Sequence, residues 1–201
     1  MNATKTEWPN LYLVGFMGTG KSAVGRRIAH NLHMTFLDVD NEIEIRERKT
    51  IATIFAQKGE TAFRRMERDF IKKGHPTKNC IVACGGGLVI QPGMLKLLKQ
   101  RGIVISLYAS PEEILRRTKG NFKRPLLNVA NPRKRIQELL KEREPIYKKA
   151  GPLIMTEGCS IEEVTAHVQR VFKREAARFR RAPINSGTMG ANQPNNPSDN
   201  A

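Results

Sequence analysis

The chain has 201 residues, 39% of them hydrophobic, which suits a single domain with a sizeable core and some length left over for tails. No run approaches the ~18 apolar residues of a membrane span, the N-terminus leads into no signal-type stretch, and Cys80, Cys84 and Cys159 lack the paired spacing of a disulfide framework or zinc site. The formal charge of +16 raises nucleic acid, a membrane surface or an anionic substrate as partners; a cytoplasmic location and a monomer are expected.

Leu11-Tyr12-Leu13-Val14 reads as a short buried strand and runs directly into Gly15-Phe16-Met17-Gly18-Thr19-Gly20-Lys21-Ser22, which satisfies G-x-x-x-x-G-K-[ST] at every fixed position. Val24, Ile28 and Leu32 follow at helical spacing, so strand, loop and helix arrive in the order a phosphate cradle requires. Glycines let consecutive backbone N–H groups turn inward on phosphates, and the helix adds the positive end of its dipole. Gly18, Thr19, Gly20, Lys21, Ser22 and Ala23 are therefore candidate nucleotide contacts, with Lys21 directed at the β- and γ-phosphates and the Ser22 hydroxyl at Mg²⁺.

Phe36-Leu37-Asp38-Val39-Asp40 puts two carboxylates at the C-terminal end of a second strand, where ligands bind in open α/β sheets, and their spacing of two points both the same way. A carboxylate there can hold a Mg²⁺-bound water or accept the proton of an attacking hydroxyl; the alternative for Asp40 is to cap a helix beginning at Asn41. Arg64 precedes Glu67 by three, which fits a helical ion pair or an anionic ligand equally. A third strand, Ile81 to Cys84, is followed at once by Gly85-Gly86-Gly87, a run that permits close ligand approach or makes a tight turn.

Ile103 to Leu107 is the next apolar run, and Ser110-Pro111-Glu112-Glu113 is a helix start with Ser110 as N-cap, Pro111 at the first position and Glu113 three beyond the cap. Residues 116–127 mix cations with glycine and proline between two helices and read as a mobile lid, whose arginine could neutralise a transferring phosphoryl group. A helix begins at Asn131-Pro132, and on it Arg143 lies on the stripe of Leu139 and Leu140, pointing inward. Leu153-Ile154-Met155 closes the strand series. The last helix carries Ile161, Val164, Val168, Val171 and Phe172 on one face, so the core is expected to end near Phe172. Residues 173–181 are a basic extension of that helix, and 182–201 a disordered polar tail.

Strands alternating with helices predict a three-layer α/β domain over residues 1–172 with a five-stranded parallel sheet, helices on both faces and a lid. The phosphate loop, Leu37-Asp38-Val39-Asp40, Phe63-Arg64-Arg65-Met66-Glu67, Gly85-Gly86-Gly87, Arg124-Pro125-Leu126-Leu127 and Arg143-Glu144-Pro145-Ile146-Tyr147 stand together in the order seen in shikimate kinases, which the chain resembles over roughly Tyr12 to Phe172. That resemblance implies the nucleoside-monophosphate-kinase type of fold and ATP-dependent phosphorylation of the shikimate 3-hydroxyl, on the route to chorismate and aromatic amino acids. It implies that Lys21 and Ser22 handle phosphates and Mg²⁺ and that Asp38 holds Mg²⁺ through water. Asp40 would contact the shikimate hydroxyls and act on the attacking one, while Arg64, Gly86, Gly87 and Arg143 bind shikimate. Arg124 would be the lid arginine on the γ-phosphate, with Arg117 against adenine. No residue of Thr156-Glu157-Gly158-Cys159-Ser160 is matched to an adenine contact. The alternatives are a kinase for gluconate or a nucleotide on the same scaffold, or a nucleic-acid-binding ATPase using the basic last helix. Against the latter, the sequence carries no aromatic stacking platform.

Overall fold

Five short apolar runs pair into one parallel sheet in the computed structural model, which describes residues 7–119 and 129–181. The strands are β1 (Asn10–Val14), β2 (Thr35–Asp38), β3 (Cys80–Ala83), β4 (Gly102–Tyr108) and β5 (Leu153–Met155), in the order β2-β3-β1-β4-β5. β1 and β3 are buried along their whole length, which is why they read as unbroken apolar runs, whereas the edge strands β2 and β5 keep exposed positions. In-register pairs such as Leu11 with both Ile81 and Ile103 stack like residues across the sheet centre.

The period of two along β1 divides the core. Leu11 and Leu13 face α1 (Lys21–Leu32) and α7 (Ile161–Arg181), joining Val24, Ile28, Val168 and Phe172. Tyr12 and Val14 face the other layer, built from α2 (Val39–Glu47), α3 (Ile51–Lys73), α4 (Met94–Arg101), α5 (Pro111–Thr118) and α6 (Pro132–Ala150), with Ile43, Phe63, Leu98, Ile114 and Leu139. The result is the three-layer architecture expected. The chain winds from β1 outward to β2, returns through β3, then crosses to β4 and β5, so the winding reverses at β1 and opens a crevice beyond its carboxyl end.

Helix starts follow local chemistry. Ser110 Oγ accepts from Glu113 N at 3.2 Å, and Asn131 Oδ1 accepts from Lys134 N at 3.0 Å, each ahead of a proline in the first turn. α2 differs from expectation: it begins at Val39, not Asn41, so Asp38 occupies the N-cap and Asp40 lies within the first turn. Gly59, with φ of 75°, breaks α3 into two helical pieces, and the second buries Phe63, Glu67, Phe70 and Ile71 on one stripe.

Among the described residues no helix is long and apolar enough to cross a membrane. Cys80 and Cys84 are buried and Cys159 is exposed, all as free thiols. Most of the lid expected over 116–127, including Arg124, and the tail expected over 182–201 lie outside the described residues.

At the far end the structure extends the core beyond Phe172. Ala176 is 1% exposed and belongs to the α1–α7 cluster, one turn past the expected stop. Phe172 packs against the Trp8 ring at 5.6 Å between centroids, and Arg180 lies over the same indole at 5.3 Å while donating to the Glu7 carbonyl. The cause is the i, i+4 repeat, which a sparse alanine continues without a large apolar residue to mark it. Ala176→Asp should therefore cost ~2–4 kcal/mol by burying an unpaired charge. Thermal melting checks it: a Tm unchanged from the parent would put the end of the core at Phe172.

Candidate active site

The phosphate loop leaves β1 through Gly15, whose φ is 136° and where a Cβ would stand 2.2 Å from the Leu107 carbonyl oxygen of β4. No side chain fits there, so the loop lies close against the carboxyl end of the central strands before rising into α1. Thr19 Oγ1 donates to the Phe16 carbonyl at 2.8 Å, and Lys21 Nζ reaches back to the Gly15 and Phe16 carbonyls at 2.9 and 2.8 Å. Gly18, Thr19, Gly20, Lys21, Ser22 and Ala23 thus stand in the turn and first helical positions at the positive end of α1, with Gly20 as its N-cap.

Asp38 and Asp40 both reach this crevice, though not by strand alternation. β2 ends at Asp38 and α2 begins at Val39, so the two carboxylates straddle a strand-to-helix junction and find different neighbours. Asp38 leaves the helix cap unused and accepts from Ser22 Oγ at 2.5 Å, joining β2 to the phosphate loop. The Asp40 carboxylate lies against Gly85 instead: a Cβ on that glycine would come within 2.7 Å of Asp40 Oδ1 and 2.8 Å of Glu67 Oε1.

The glycine run is explained by what presses on it. Gly87 lies under the Arg64 guanidinium, whose Nη1 and Nη2 would be 2.5 Å from an added Cβ. Gly86 offers its carbonyl to the Tyr147 hydroxyl at 2.6 Å. None of the three has a left-handed φ. Their lack of side chains admits two carboxylates and a guanidinium against the backbone and is not a turn requirement.

Arg64 makes the helical ion pair, with Nη1 donating to Glu67 Oε2 and Nη2 to Glu60 Oε1, each at 2.8 Å, while the guanidinium lies against Gly87. Arg143 is directed inward by α6, on the same side as Leu139, Leu140 and Tyr147, with its guanidinium carbon 5.8 Å from the Phe16 ring centroid. Its Nε is buried and has no hydrogen-bond partner among the described residues. Burial pushes the Tyr147 phenol up to about 12, against the opposing pull of neighbouring Arg143.

Arg117, the last of the placed candidates, joins three segments. Nε donates to Glu113 Oε1 at 2.6 Å, Nη1 to Thr156 Oγ1 at 2.9 Å and the Gly18 carbonyl at 3.3 Å, and Nη2 to the Thr156 carbonyl at 2.7 Å. The structure therefore gathers Lys21, Ser22, Asp38, Asp40, Arg64, Gly86, Gly87, Arg143 and Arg117 around the carboxyl end of the sheet.

Sequence reasoning passed over Glu67, Glu113, Tyr147 and Thr156 as site residues. Glu67 carried a signal, since it falls four after Phe63 and three before Phe70 on the apolar stripe of α3, an improbable place for a solvated acid. It is fully buried, and desolvation raises its carboxyl to about 7 even though Arg64 pulls downward; Asp40 adds to the rise, and Gln91 Nε2 donates to Oε2 at 2.7 Å. Since the folded state holds this proton above the ordinary 4.5, the stability it contributes is complete below about pH 4.5 and is lost as pH rises through about 7. Melting temperatures of the parent and Glu67→Gln across pH 4.5–8 check this: the parent should lose ground against the variant through that window, and parallel curves would refute the raised carboxyl.

A family profile described as Shikimate kinase matches residues 17–173. A shikimate kinase of Caldanaerobacter subterraneus is 43% identical over 163 residues, covering 81% of this chain and 95% of its own length. One from Thermus thermophilus is 42% identical over 168 residues, covering 83% and 91%. Among solved structures, the shikimate kinase from Acinetobacter baumannii in complex with shikimate superposes with a TM-score of 0.79 at 38% identity, over 84% of this chain and 94% of that one. A gluconokinase from Sinorhizobium meliloti reaches a TM-score of 0.53 at 16% identity, over 87% and 98%, and shares the fold.

Proposed function

This chain belongs to the shikimate kinase family, and from that premise we infer that it transfers the γ-phosphoryl group of ATP to the 3-hydroxyl of shikimate. The observation that carries the acceptor assignment is Arg143. The Arg143 side chain is half-buried, and its Nε is buried beside the phosphate loop without a hydrogen-bond partner among the described residues, a cost that a ligand carboxylate accepting two parallel charge-assisted bonds would remove.

The remaining roles follow from position. Arg64, held at Gly87 by Glu60 and Glu67, presents a second cation to the anionic acceptor, and the bare Gly86 and Gly87 backbone lets the ring lie close. Asp40 is the group that orients the attacking hydroxyl and accepts its proton. Lys21 turns from the loop carbonyls to the β- and γ-phosphates when ATP binds, and the N–H groups from Gly18 to Ala23 cradle the phosphates. Ser22 Oγ and Asp38 Oδ2, already together at 2.5 Å, are hard oxygen donors that would hold Mg²⁺. Held there, the ion would supply positive charge against the phosphates during transfer. Arg117 is assigned to the nucleotide base; Arg124, which lies outside the described residues, is assigned to the γ-phosphate from the sequence alone.

Coupled ADP release with shikimate, gluconate and nucleoside monophosphates offered in turn tests the acceptor: turnover with shikimate alone is expected, and preference for another acceptor would overturn the assignment. Two substitutions then separate the roles. Arg143→Lys keeps charge but loses the bidentate fork, so KM for shikimate should rise ~10-fold or more with ATP affinity retained. Asp40→Asn should instead lower kcat by ~10²-fold or more. Steady-state kinetics with shikimate varied at saturating MgATP decides, since an unchanged KM in the first and unchanged kcat in the second would defeat this acceptor site.

A further inference from the structure

The nucleotide side of the site contains a carboxylate that the roles above do not use. Glu113 sits at the third position of α5, where its sequence pattern with Ser110 is that of a capping box, in which the glutamate side chain returns to the cap residue's N–H. Half of the box forms: Ser110 Oγ accepts from Glu113 N at 3.2 Å. The other half is taken over by a different residue, because Ser110 N donates at 3.1 Å to Glu157 Oε2 from the turn after β5. Glu113 is thereby released from its local task. Its carboxylate turns along α5 to Arg117 Nε at 2.6 Å and also receives two bonds from Arg116, at 2.8 and 2.6 Å.

The two arginines differ in what they contribute. Arg116 is 72% exposed, so its arm is a solvated surface pair, whereas Arg117 is 24% exposed and Glu113 12%. Arg117 uses its other donors on Thr156 Oγ1, the Thr156 carbonyl and the Gly18 carbonyl. Four of its five N–H groups are engaged within its own plane, so what remains for a ligand is chiefly the flat face of the guanidinium. Thr156 is 3% exposed and is itself held by the Tyr108 carbonyl at 3.2 Å, which makes it a rigid anchor.

We propose that Glu113 is a positioning residue for nucleotide binding: it locks Arg117 between the phosphate loop and the Thr156–Ser160 turn, so that a flat, stackable face stands ready beside the base. Glu157 is the second member of the device, since its bond to Ser110 N leaves Glu113 free for Arg117 and fastens the turn to α5. The proposal rests on the reading that Arg117 lies beside the nucleotide base, and the test separates the two.

MgATP is varied at saturating shikimate for the parent, Glu113→Gln, Arg117→Ala and the double variant, and mant-ATP titration gives affinity independently of turnover. Glu113→Gln keeps the backbone bond to Ser110 Oγ, so it should fold. It is expected to raise KM and Kd for the nucleotide roughly fivefold, with kcat and the KM for shikimate within about twofold. Arg117→Ala should raise both nucleotide constants ~10-fold, and the double variant should be no worse than Arg117→Ala alone, because Glu113 acts through Arg117. Glu113→Asp, one methylene shorter, should fall between parent and Glu113→Gln. An effect of Arg117→Ala with none from Glu113→Gln would overturn the proposal alone. A Glu113→Gln effect that persisted undiminished on the Arg117→Ala background would do the same, by placing Glu113's influence in α5 itself. No effect of Arg117→Ala would remove the reading beneath it and the proposal with it.

Discussion

The site depends on backbone approaching where a side chain cannot go. At Gly15 the chain passes so close to the Leu107 carbonyl that a Cβ would overlap it, and this contact sets the loop low against the central strands, with the N-terminus of α1 aimed at the crevice. Lys21 and Thr19 then hold the loop in shape by bonding to its own carbonyls. A second such approach lies one strand away, where Gly85 and Gly87 let charged side chains rest on the main chain. The two bare patches are neighbours because β1 and β3 pair directly in the sheet.

Charge is distributed across the crevice with different degrees of compensation. Arg64 is pinned by one exposed and one buried glutamate, and so is oriented before any ligand arrives. Arg143 has the stiffness of packing beside Phe16 and Tyr147, but its Nε has no protein acceptor among the described residues. The two cations thus differ in compensation: Arg64 is oriented by two ion pairs, whereas the buried Nε of Arg143 has no hydrogen-bond partner among the described residues. Glu67 belongs to the same balance. Fully buried between Arg64 and Asp40, its carboxyl is held above the ordinary range chiefly by desolvation.

The nucleotide side is built by exchange of partners between distant segments. A capping box that is complete in the local sequence is opened by Glu157, 47 residues from Ser110, and the displaced glutamate organises Arg117. Thr156, Gly18 and Glu113 thereby meet at a single guanidinium, joining the turn after β5, the phosphate loop and α5, the helix that leads into residues 120–128.

By itself the sequence determined the strands, most helix starts and the phosphate loop. Strands buried on both faces must be continuous apolar runs, helix starts carry their caps within four residues, and the phosphate loop is a local motif whose function lies in its own backbone. All of these are short-range, so they are written in consecutive residues such as Gly15 to Ser22 and Ser110 to Glu113. Tertiary structure decided which charged groups meet. Spacing alone sent Asp38 and Asp40 the same way, whereas the strand-to-helix junction sends one to Ser22 and the other to Gly85. It took Glu113 out of its cap, set Glu67 between Arg64 and Asp40, and carried the α7 core on to Ala176. For the three charged cases the physical reason is common: a side chain's partner is fixed by which elements pack together, and Coulomb and hydrogen-bond energies depend on distances in space that sequence separation does not contain.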